Sequence, residues 1–360
     1  MTNTTISTAV RAKQWDNKLF MEYVRASRFK RYMGSGENSI IQVKRDLTKK
    51  KGDAITVNLI GALDAAAGAN DGTTSLVGNE KALPNDGHKI TVKVVRDATV
   101  VNMEEEQASA FDVREAGRTA LKDLAMRYMK NDIITALGSI QGVPYGSATA
   151  TNLNNWTVAN SDRVLFGDST ANYNATFATA LNNVTSTMKL SKNVVSLLKR
   201  LAQTAKNANG EGIRPFTYGE DEETFVLFVN SYAYRDLKID LETVHENARE
   251  RAKTNPLFTG TTSLYWDGVV IREIPEIAGF NNTATTPVAC APVYLCGAQA
   301  LAVAWAKELM TTLRKEDDYG FQRGVGFFEL RGVEKILWGQ GSTSAKDWGM
   351  ATGFVAAAAD

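Results

Sequence analysis

The sequence has few of the residues on which catalysis and metal binding usually depend. Only two histidines and two cysteines occur among 360 residues. Neither His88 nor His245 has Cys, Asp or Glu neighbours at the spacing of zinc ligands, so both are predicted to lie on the surface. Cys290 and Cys296 lie six residues apart in an apolar stretch, and one short pair cannot complete a zinc shell. They are predicted to be buried thiols in a reducing compartment.

Long apolar runs are also missing. No stretch approaches the roughly 20 consecutive apolar residues that cross a membrane as a helix. The first fifteen residues, MTNTTISTAVRAKQW, lack the apolar core of a signal peptide. The sequence therefore predicts neither a membrane partner nor secretion.

No motif for nucleotide binding or nucleophilic catalysis is present. The chain has no G-x-S-x-G elbow, no H-E-x-x-H pair and no Walker loop. Glycine pairs at 34–36, 324–326 and 339–341 do not continue into the G-x-G-x-x-G pattern of a dinucleotide site.

Carboxylates cluster in three places without showing the arrangement that chemistry requires. General acid–base catalysis needs two carboxyl groups at a set separation in a cleft, and sequence neighbours do not provide this. Calcium loops space their acidic residues, whereas these clusters, Glu104–Glu106, Asp221–Glu223 and Glu316–Asp318, are contiguous. We assign no catalytic, cofactor-binding or metal-binding residue and no cofactor, and we predict that the protein is not an enzyme. A glycan-acting enzyme that depends on Asp221 and Glu223 stays open as an alternative.

The charge of the chain is unevenly distributed although its net value is +1. Residues 1–51 carry twelve Lys or Arg and four Asp or Glu, a local +8, which leaves −7 for the remainder. A basic arm on a mildly acidic body predicts contacts between copies of the chain, with nucleic acid as a second candidate partner.

The first half of the chain divides into four patterns. Residues 1–51 are interpreted as an N-terminal arm whose first 33 residues have helical spacing, and residues 52–103 as a long two-stranded β-ribbon with a mobile tip. Glu104–Leu137 predicts one continuous helix of roughly 50 Å, ended by Gly138. Residues 139–176, rich in Asn, Thr, Ser and Gly, are interpreted as a surface insertion.

The second half predicts a compact block of helices and strands. Two helical patterns within 177–210 complete a segment, 104–224, that begins with the long helix; Ser191 is a predicted N-cap and Gly210 a predicted stop. A buried strand is predicted at Phe225–Val229, followed by a helix capped at Asn230. Asp267-Gly268 between two apolar runs predicts a tight hairpin. Closing strands follow at 306–340, and 341–360 is predicted to be a loose tail.

Five segments carry a resemblance to a known family, and all of them lie between residues 160 and 340. They are SDRVLFGD (161–168), FVLFVNSYAYRDLKIDL (225–241), NPLFTGTTSLYWDGVVIREIPEI (255–277), CGAQALAVAWA (296–306) and DDYGFQRGVGFFELRGVEKILW (317–338). The chain resembles the major capsid proteins of tailed bacteriophages, which have the α+β Hong Kong 97-type fold. The order of arm, ribbon and long helix upstream fits the same family.

The resemblance implies an icosahedral shell of hexamers and pentamers that encloses double-stranded DNA without sequence specificity. It implies that the arm and the ribbon (the extended loop) reach over neighbouring subunits. The long helix and closing strands are implied to belong to a peripheral domain and 225–305 largely to an axial domain. Portal, scaffolding and decoration proteins are implied partners, and the insertion could bind the last of these. The implied location is the virion, assembled in the cytoplasm of the bacterial host.

Some features of the family are not carried over, and alternatives stay open. Some members join subunits by Lys–Asn isopeptide bonds, but no motif identifies a bonded pair among Lys81, Asn70 and Asn79 in the ribbon tip. An encapsulin-like compartment would share the fold and hold enzymes instead of a genome. A basic-armed nucleic-acid binder would form no closed particle and would bind with steep salt dependence.

Overall fold

The structure is a computed structural model of the chain, and it describes most residues. The described residues are 29–45, 54–65, 68–69, 72–73, 75–109, 112–207, 209–210, 212–217, 223–242, 263–314 and 321–360. Several sequence predictions lie outside these ranges. They concern His245, Asp221, the Glu316–Asp318 cluster and most of the helix predicted for the first 33 residues.

Strands occupy both ends of the described chain, and the α-helices lie between them. The strands are β1 (Met33–Gly34), β2 (Ile41–Lys44), β3 (Ala54–Ile60), β4 (Asn85–Thr91), β5 (Lys93–Asn102), β6 (Val164–Phe166), β7 (Phe216–Thr217), β8 (Glu223–Val229), β9 (Ser263–Trp266), β10 (Val269–Glu273), β11 (Phe280–Asn281), β12 (Ala289–Cys296), β13 (Leu301–Leu313), β14 (Gln322–Lys335), β15 (Leu337–Trp338), β16 (Lys346–Asp347) and β17 (Met350–Ala356). The α-helices are α1 (Met103–Ala108), α2 (Val113–Leu137), α3 (Ala150–Ala159), α4 (Phe177–Asn182), α5 (Lys192–Thr204) and α6 (Ser231–Asp240). Short 3₁₀ turns occur at Lys30–Tyr32, Tyr145–Ser147 and Thr170–Asn172.

The chain folds into two compact units. The smaller contains 94–129 and 308–330, and the larger contains 28–93, 130–307 and 331–360. Strands β13 and β14 and helix α2 each contribute residues to both units.

A mixed β-sheet forms the centre of the larger unit. Its main strand order is β6-β17-β12-β8-β10-β9, and the short strands β7 and β11 pair at its margins. Successive side chains of a strand point to opposite faces of the sheet, so each strand contributes side chains to a core on either face. On one face, Leu198 of α5 and Leu237 of α6 pack with Leu227 and Val293 of the sheet, and all four are fully buried.

Local turn and cap chemistry forms as predicted in this sheet. Strands β9 and β10 pair antiparallel around Asp267 and Gly268, whose φ angles of 48° and 73° fit a type I′ hairpin turn. The Ser191 side chain accepts a hydrogen bond from the Val194 N–H and caps α5. Asn230 caps α6 in the same way, through the Ala233 N–H. The predicted stop at Gly210 is wrong, because α5 ends at Thr204.

The opposite face of the sheet is covered by the segment that was predicted to be a surface insertion. Trp156 of α3 and Phe177 of α4 are buried against Phe166 and Phe354 of the sheet. Strand β6 pairs in parallel with β17. The interpretation of 139–176 as a surface insertion is therefore wrong. The segment is mostly polar, but its few large apolar side chains fill one side of the core.

The C-terminal segment is part of the sheet and is not a loose tail. Strand β17 is buried along its whole length and pairs with β12 over seven residues, from Cys290↔Ala356 to Cys296↔Met350. The prediction for 341–360 fails because small residues suggest mobility, whereas here they allow a helix and two strands to approach closely. Gly353 shows this, since a Cβ there would lie 2.9 Å from the Val293 side chain.

The described part of the predicted arm is also packed. Phe29, Ile40 and Ile41 are fully buried, and the Phe29 ring contacts Phe228 edge-to-face at 5.2 Å. Strand β2 pairs in parallel with the first residues of β13. Residues 29–45 therefore belong to the body of the larger unit, and an arm that reaches a neighbour stays a prediction for the residues before them.

The smaller unit is built from strands β13, β14 and β5, in that order, and the N-terminal part of α2. Leu121 and Ala125 of α2 are buried against Val325 and Phe327 of β14. The Tyr128 hydroxyl donates a 3.0 Å hydrogen bond to Asp97 of β5. These contacts place one apolar side of α2 against β14.

The prediction of one continuous helix over Glu104–Leu137 is wrong. Helix α1 ends at Ala108 and α2 begins at Val113. The Asp112 side chain accepts a 3.0 Å hydrogen bond from the Glu115 N–H, so it acts as a new N-cap. The predicted end at Gly138 is confirmed, because α2 stops at Leu137.

Candidate assembly surface

The β-ribbon is the first candidate surface. Strands β3 and β4 pair antiparallel from Ala54↔Thr91 to Ile60↔Asn85. Beyond this pair, the Gly61 N–H donates a 2.8 Å hydrogen bond to the Pro84 carbonyl. The sequence predicts a two-stranded ribbon over 52–103, and the structure has this pairing for β3 and β4 only. Strand β5, which lies within the predicted range, pairs with β14 instead, so the predicted ribbon is too long. The described residues between 62 and 83 are called the tip of the ribbon.

The base of the ribbon packs on the body of the larger unit. Ile55, Leu59 and Ile90 are buried in one cluster with Ala302 and Ile336. The base is anchored by apolar contacts that any deletion of the whole ribbon would remove.

Side chains replace a neighbouring strand along the outer edge of β4. The Gln340 amide accepts from the Lys89 N–H at 2.6 Å and donates to the Lys89 carbonyl at 2.9 Å. Glu334 accepts from the Thr91 N–H at 3.0 Å, and the Gly339 N–H donates to Asp86. These bonds satisfy an exposed strand edge, which would otherwise invite pairing with another chain, and they fix the ribbon at its base.

His88 is buried, so its predicted surface position is wrong. The side chain is 1% exposed, its Nδ1 accepts a 3.4 Å hydrogen bond from the Leu337 N–H, and its Nε2 lies 3.6 Å from a Glu334 oxygen. The burial of His88 could have been predicted from the alternation of buried and exposed side chains along β4. His88 and Ile90 are two residues apart on β4 and therefore share the face that packs on the body.

The tip of the ribbon, together with the last residue of β3, exposes large apolar side chains. Their exposed fractions are 63% for Ile60, 50% for Leu63, 65% for Leu76, 84% for Val77 and 53% for Leu83. Scattered exposed apolar residues are normal, but a cluster on one projecting element is typical of an interaction surface.

The residues considered for cross-linking lie in this tip. The Lys81 Nζ donates a 2.9 Å hydrogen bond to the Gly68 carbonyl, and the Asn79 amide donates to the Ser75 carbonyl at 2.8 Å. Asn70 lies outside the described residues. These contacts within the tip identify no bonded pair.

The smaller unit has an exposed apolar surface of its own. Along β13, Leu309, Met310 and Leu313 are 40%, 46% and 65% exposed, and Val100 of β5 is 50% exposed. Both faces of β13 are open from Lys307 to Leu313. A strand that buries neither face gains little stability from its own unit, which favours a role in contact with another molecule.

The described residues of the carboxylate clusters do not form a site. Glu104 is exposed and Glu106 lies 3.5 Å from Arg323, while Glu223 begins a strand with its side chain exposed. Across the described ranges, no three His, Cys, Asp or Glu side chains are grouped so that they could hold a metal ion.

A buried polar centre joins three distant parts of the larger unit. Asp347 Oδ2 accepts from Lys335 Nζ at 3.0 Å and from Trp156 Nε1 at 3.1 Å. The Asp347 N–H donates to Asn160 at 2.8 Å, and Arg163 donates to the Asp347 carbonyl. Lys335 and Asp347 side chains are 2% and 1% exposed. Sequence reasoning missed this centre because its members are up to 191 residues apart.

Asp162 extends this centre towards the surface. Burial opposes its ionised form, but two 3.0 Å hydrogen bonds from Arg163, the charge of that guanidinium and the Lys206 N–H outweigh burial and lower the pKa of Asp162. A lowered pKa in the folded state stabilises the fold above the pKa of the unfolded carboxyl, which is about 3.9, and this contribution is lost as the pH falls.

We therefore expect Asp162→Asn to lower the free energy of unfolding by a constant amount from about pH 5 to 8, and the difference from wild type to shrink below about pH 4. Denaturant titrations of unassembled subunits across this range would measure it. Asp168→Asn, at an exposed position on the following loop, is the control. A difference that persists undiminished in acid would contradict the assignment.

The two cysteines are buried free thiols, as predicted. Burial raises the pKa of Cys290 to about 11 and raises the pKa of Cys296 further. Because the thiolate is the reactive form, we expect neither thiol to react with a thiol reagent at pH 8 in the folded protein. Two equivalents should react after unfolding in denaturant. Rapid labelling of the native protein would show that the segment opens.

Comparisons with known proteins agree with this architecture. A model of the phage capsid protein family matches residues 3–359. The capsid structure of cyanophage Pam1 is 34% identical, with a TM-score of 0.87 and full coverage of both chains. The capsid of Ralstonia phage GP4 is 19% identical with a TM-score of 0.74, and 99% of each chain is covered. No curated protein matched the sequence.

A more distant capsid has the same fold. The capsid protein of Helicobacter pylori bacteriophage KHP30 is 13% identical with a TM-score of 0.67, and the match covers 97% of this chain and 95% of that one. Within the described residues, no helix has the length and apolarity needed to cross a membrane. The chain has the Hong Kong 97-type α+β fold, belongs to the phage capsid protein family and is a major capsid protein of the virion, where it forms the phage shell.

Proposed function

We propose that this capsid protein assembles as hexamers and pentamers into a closed icosahedral container for the double-stranded DNA of a tailed phage, and that it has no enzymatic activity. The observation that carries the proposal is the apolar ribbon tip beyond a firmly packed base. Its four large apolar side chains, and Ile60 at the end of β3, are each at least half exposed. Covering them on a neighbouring copy would remove apolar surface from water at about 25 cal/mol per Å².

A closed shell needs only modest contacts of this kind. Each ribbon links its subunit to a neighbour, and once a shell is closed, no subunit leaves without breaking several contacts at once. The exposed strand β13 of the smaller unit offers a second contact surface. In this proposal the smaller unit belongs to the peripheral domain, and the α5–α6 side of the central sheet belongs to the axial domain.

The enclosed DNA is contacted through charge alone. The family resemblance, and not a groove-reading element in the described residues, supports this part of the proposal. Binding through charge neutralises phosphates and is insensitive to base sequence. Portal, scaffolding and decoration proteins are proposed further partners, and assembly is proposed to take place in the cytoplasm of the bacterial host.

Electron microscopy of the expressed protein tests the proposal. We expect closed particles of uniform diameter, and particles from infected cells that contain double-stranded DNA. Particles that contain a cargo protein and no DNA would indicate an encapsulin-like compartment instead. A monodisperse monomer that binds DNA and never closes into particles would overturn the proposal.

A further inference from the structure

A cavity of about 320 Å³ lies in the larger unit beside the end of α2. It is lined mainly by aromatic and aliphatic side chains, and these include Tyr145, Trp156, Phe280, Tyr294 and Phe354. This volume is at the lower end of the roughly 300–1,000 Å³ that is typical of small-molecule sites. None of these residues belongs to the ribbon or to the exposed strand of the smaller unit.

Hydroxyl-bearing side chains, among them Tyr145, Tyr294 and Thr352, line this cavity. Tyr294 is 6% exposed, and its hydroxyl lies 2.9 Å from the position that a Cβ on Gly138 would take. Tyr145 is partly buried. Thr352, 3% exposed, also lines the cavity with an unpaired Oγ1. A buried hydroxyl without a partner costs free energy, which a ligand atom could recover.

The residues that line the cavity carry no unpaired charge, which favours a neutral ligand. Lys335 also lines the cavity, but its ammonium is 3.0 Å from the Asp347 carboxylate, so the pair contributes no net charge. Burial raises the pKa of Tyr145 to about 12, so its hydroxyl keeps its proton and can donate. The cavity thus combines aromatic walls with hydroxyl donors.

We propose that this cavity is a binding site for a small neutral aromatic molecule that carries one hydrogen-bond acceptor, such as an aromatic amide. The ring would lie among the aromatic side chains, and the acceptor would receive the hydrogen bond of Tyr294. Because the cavity is formed by α2, the Tyr145–Ser147 turn and the central sheet, an occupant would stabilise the larger unit.

4-Bromobenzamide is a suitable probe, because it is neutral, offers a carbonyl acceptor and quenches tryptophan fluorescence on contact. Titrated into assembled shells, it should bind at one site per subunit with a dissociation constant of about 0.1–1 mM. Tyr294→Phe should weaken binding about tenfold while keeping the ring. Trp156→Phe should abolish most of the quenching while calorimetry still detects binding.

A matched pair of glycine variants tests the location. A Cβ at Gly146 or at Gly36 meets no atom within 4 Å, so both positions accept a larger side chain, but Gly146 alone of the two lines the cavity. Gly146→Phe should abolish binding and Gly36→Phe should leave it unchanged. Equal binding by both variants would overturn the proposal. So would binding to free subunits but not to shells, because a neighbouring subunit would then occupy the cavity. Shell formation itself is scored separately by microscopy.

Discussion

Replacing the ribbon tip, residues 62–83, by Asn-Gly is expected to give a folded subunit that forms no shells. The Gly61–Pro84 hydrogen bond of 2.8 Å already closes the ribbon at this point, and Asn-Gly is the preferred two-residue hairpin turn. The replacement removes Leu63, Leu76, Val77 and Leu83, four of the five exposed apolar side chains. We expect an unchanged unfolding midpoint in denaturant, with particle yield by electron microscopy reduced at least a hundredfold.

A milder variant and a matched control separate the apolar contacts from the length of the ribbon. Changing Leu63, Leu76 and Val77 together to Ser should reduce particle yield strongly and leave the ribbon in place. Ile239→Ser removes an equally exposed apolar side chain from α6, away from the ribbon, and should assemble normally. Normal shells from the triple variant would show that the tip makes no essential contact.

Removal of the whole ribbon is not an equivalent experiment. The sequence alone suggests that a subunit without 53–102 should still fold. The structure argues otherwise, because that deletion takes Ile55, Leu59 and Ile90 out of a buried cluster and removes all of β5. Loss of three buried aliphatic side chains costs about 2–5 kcal/mol each, a large fraction of the stability of a domain. We expect that deletion to unfold the subunit.

Asp347→Ala is expected to lower the free energy of unfolding by about 3–5 kcal/mol. The substitution leaves the Lys335 ammonium, 2% exposed, without its carboxylate and leaves Trp156 Nε1 without its acceptor. An unpaired buried charge is far more costly than the ion pair is favourable. Denaturant unfolding of unassembled subunits would measure the change.

The double variant Lys335→Met, Asp347→Leu identifies the cause. If the uncompensated charge dominates, the double variant should recover more than half of the stability lost in Asp347→Ala. Asp168→Ala, at an exposed carboxylate, should change stability by less than about 0.5 kcal/mol. A double variant that is less stable than Asp347→Ala would show that the ion pair itself stabilises the fold.

Sequence reasoning succeeded where local chemistry decides the structure. The Asp267-Gly268 turn requires two residues that tolerate positive φ, and the caps at Ser191 and Asn230 need only a side-chain oxygen and a free N–H. The strand patterns predicted a ribbon at β3 and β4, but they did not show that the ribbon ends at Thr91 and that β5 pairs with β14. In these places the residues that determine the structure lie within a few positions of each other.

Prediction from sequence failed where the structure of a segment depends on contacts with residues far away in the chain. The segment 139–176 and the C-terminal strand β17 contain small or polar residues. Only the pairing of β6 with β17, and of β17 with β12, shows that they belong to the sheet. His88 was assigned to the surface because its burial depends on contacts with Leu337 and Glu334, about 250 residues away. The break at Asp112 was hidden by helix-favouring residues on both sides.

The candidate assembly surface was likewise predictable only in part. The position of the ribbon was predictable, but its division into a packed base and an exposed tip was not, because Ala302 and Ile336 provide the base contacts. The polar centre at Asp347 gave no sequence signal. Trp156, Lys335 and Asp347 belong to no recognisable motif, and only the fold places their side chains in contact.

A cryo-electron microscopy map of the assembled shell tests the central claim most directly. The account predicts that Leu76 and Val77, now 65% and 84% exposed, are buried against a neighbouring subunit at every ribbon of the lattice. A shell in which these side chains remain in solvent, or pack on their own subunit, would contradict it.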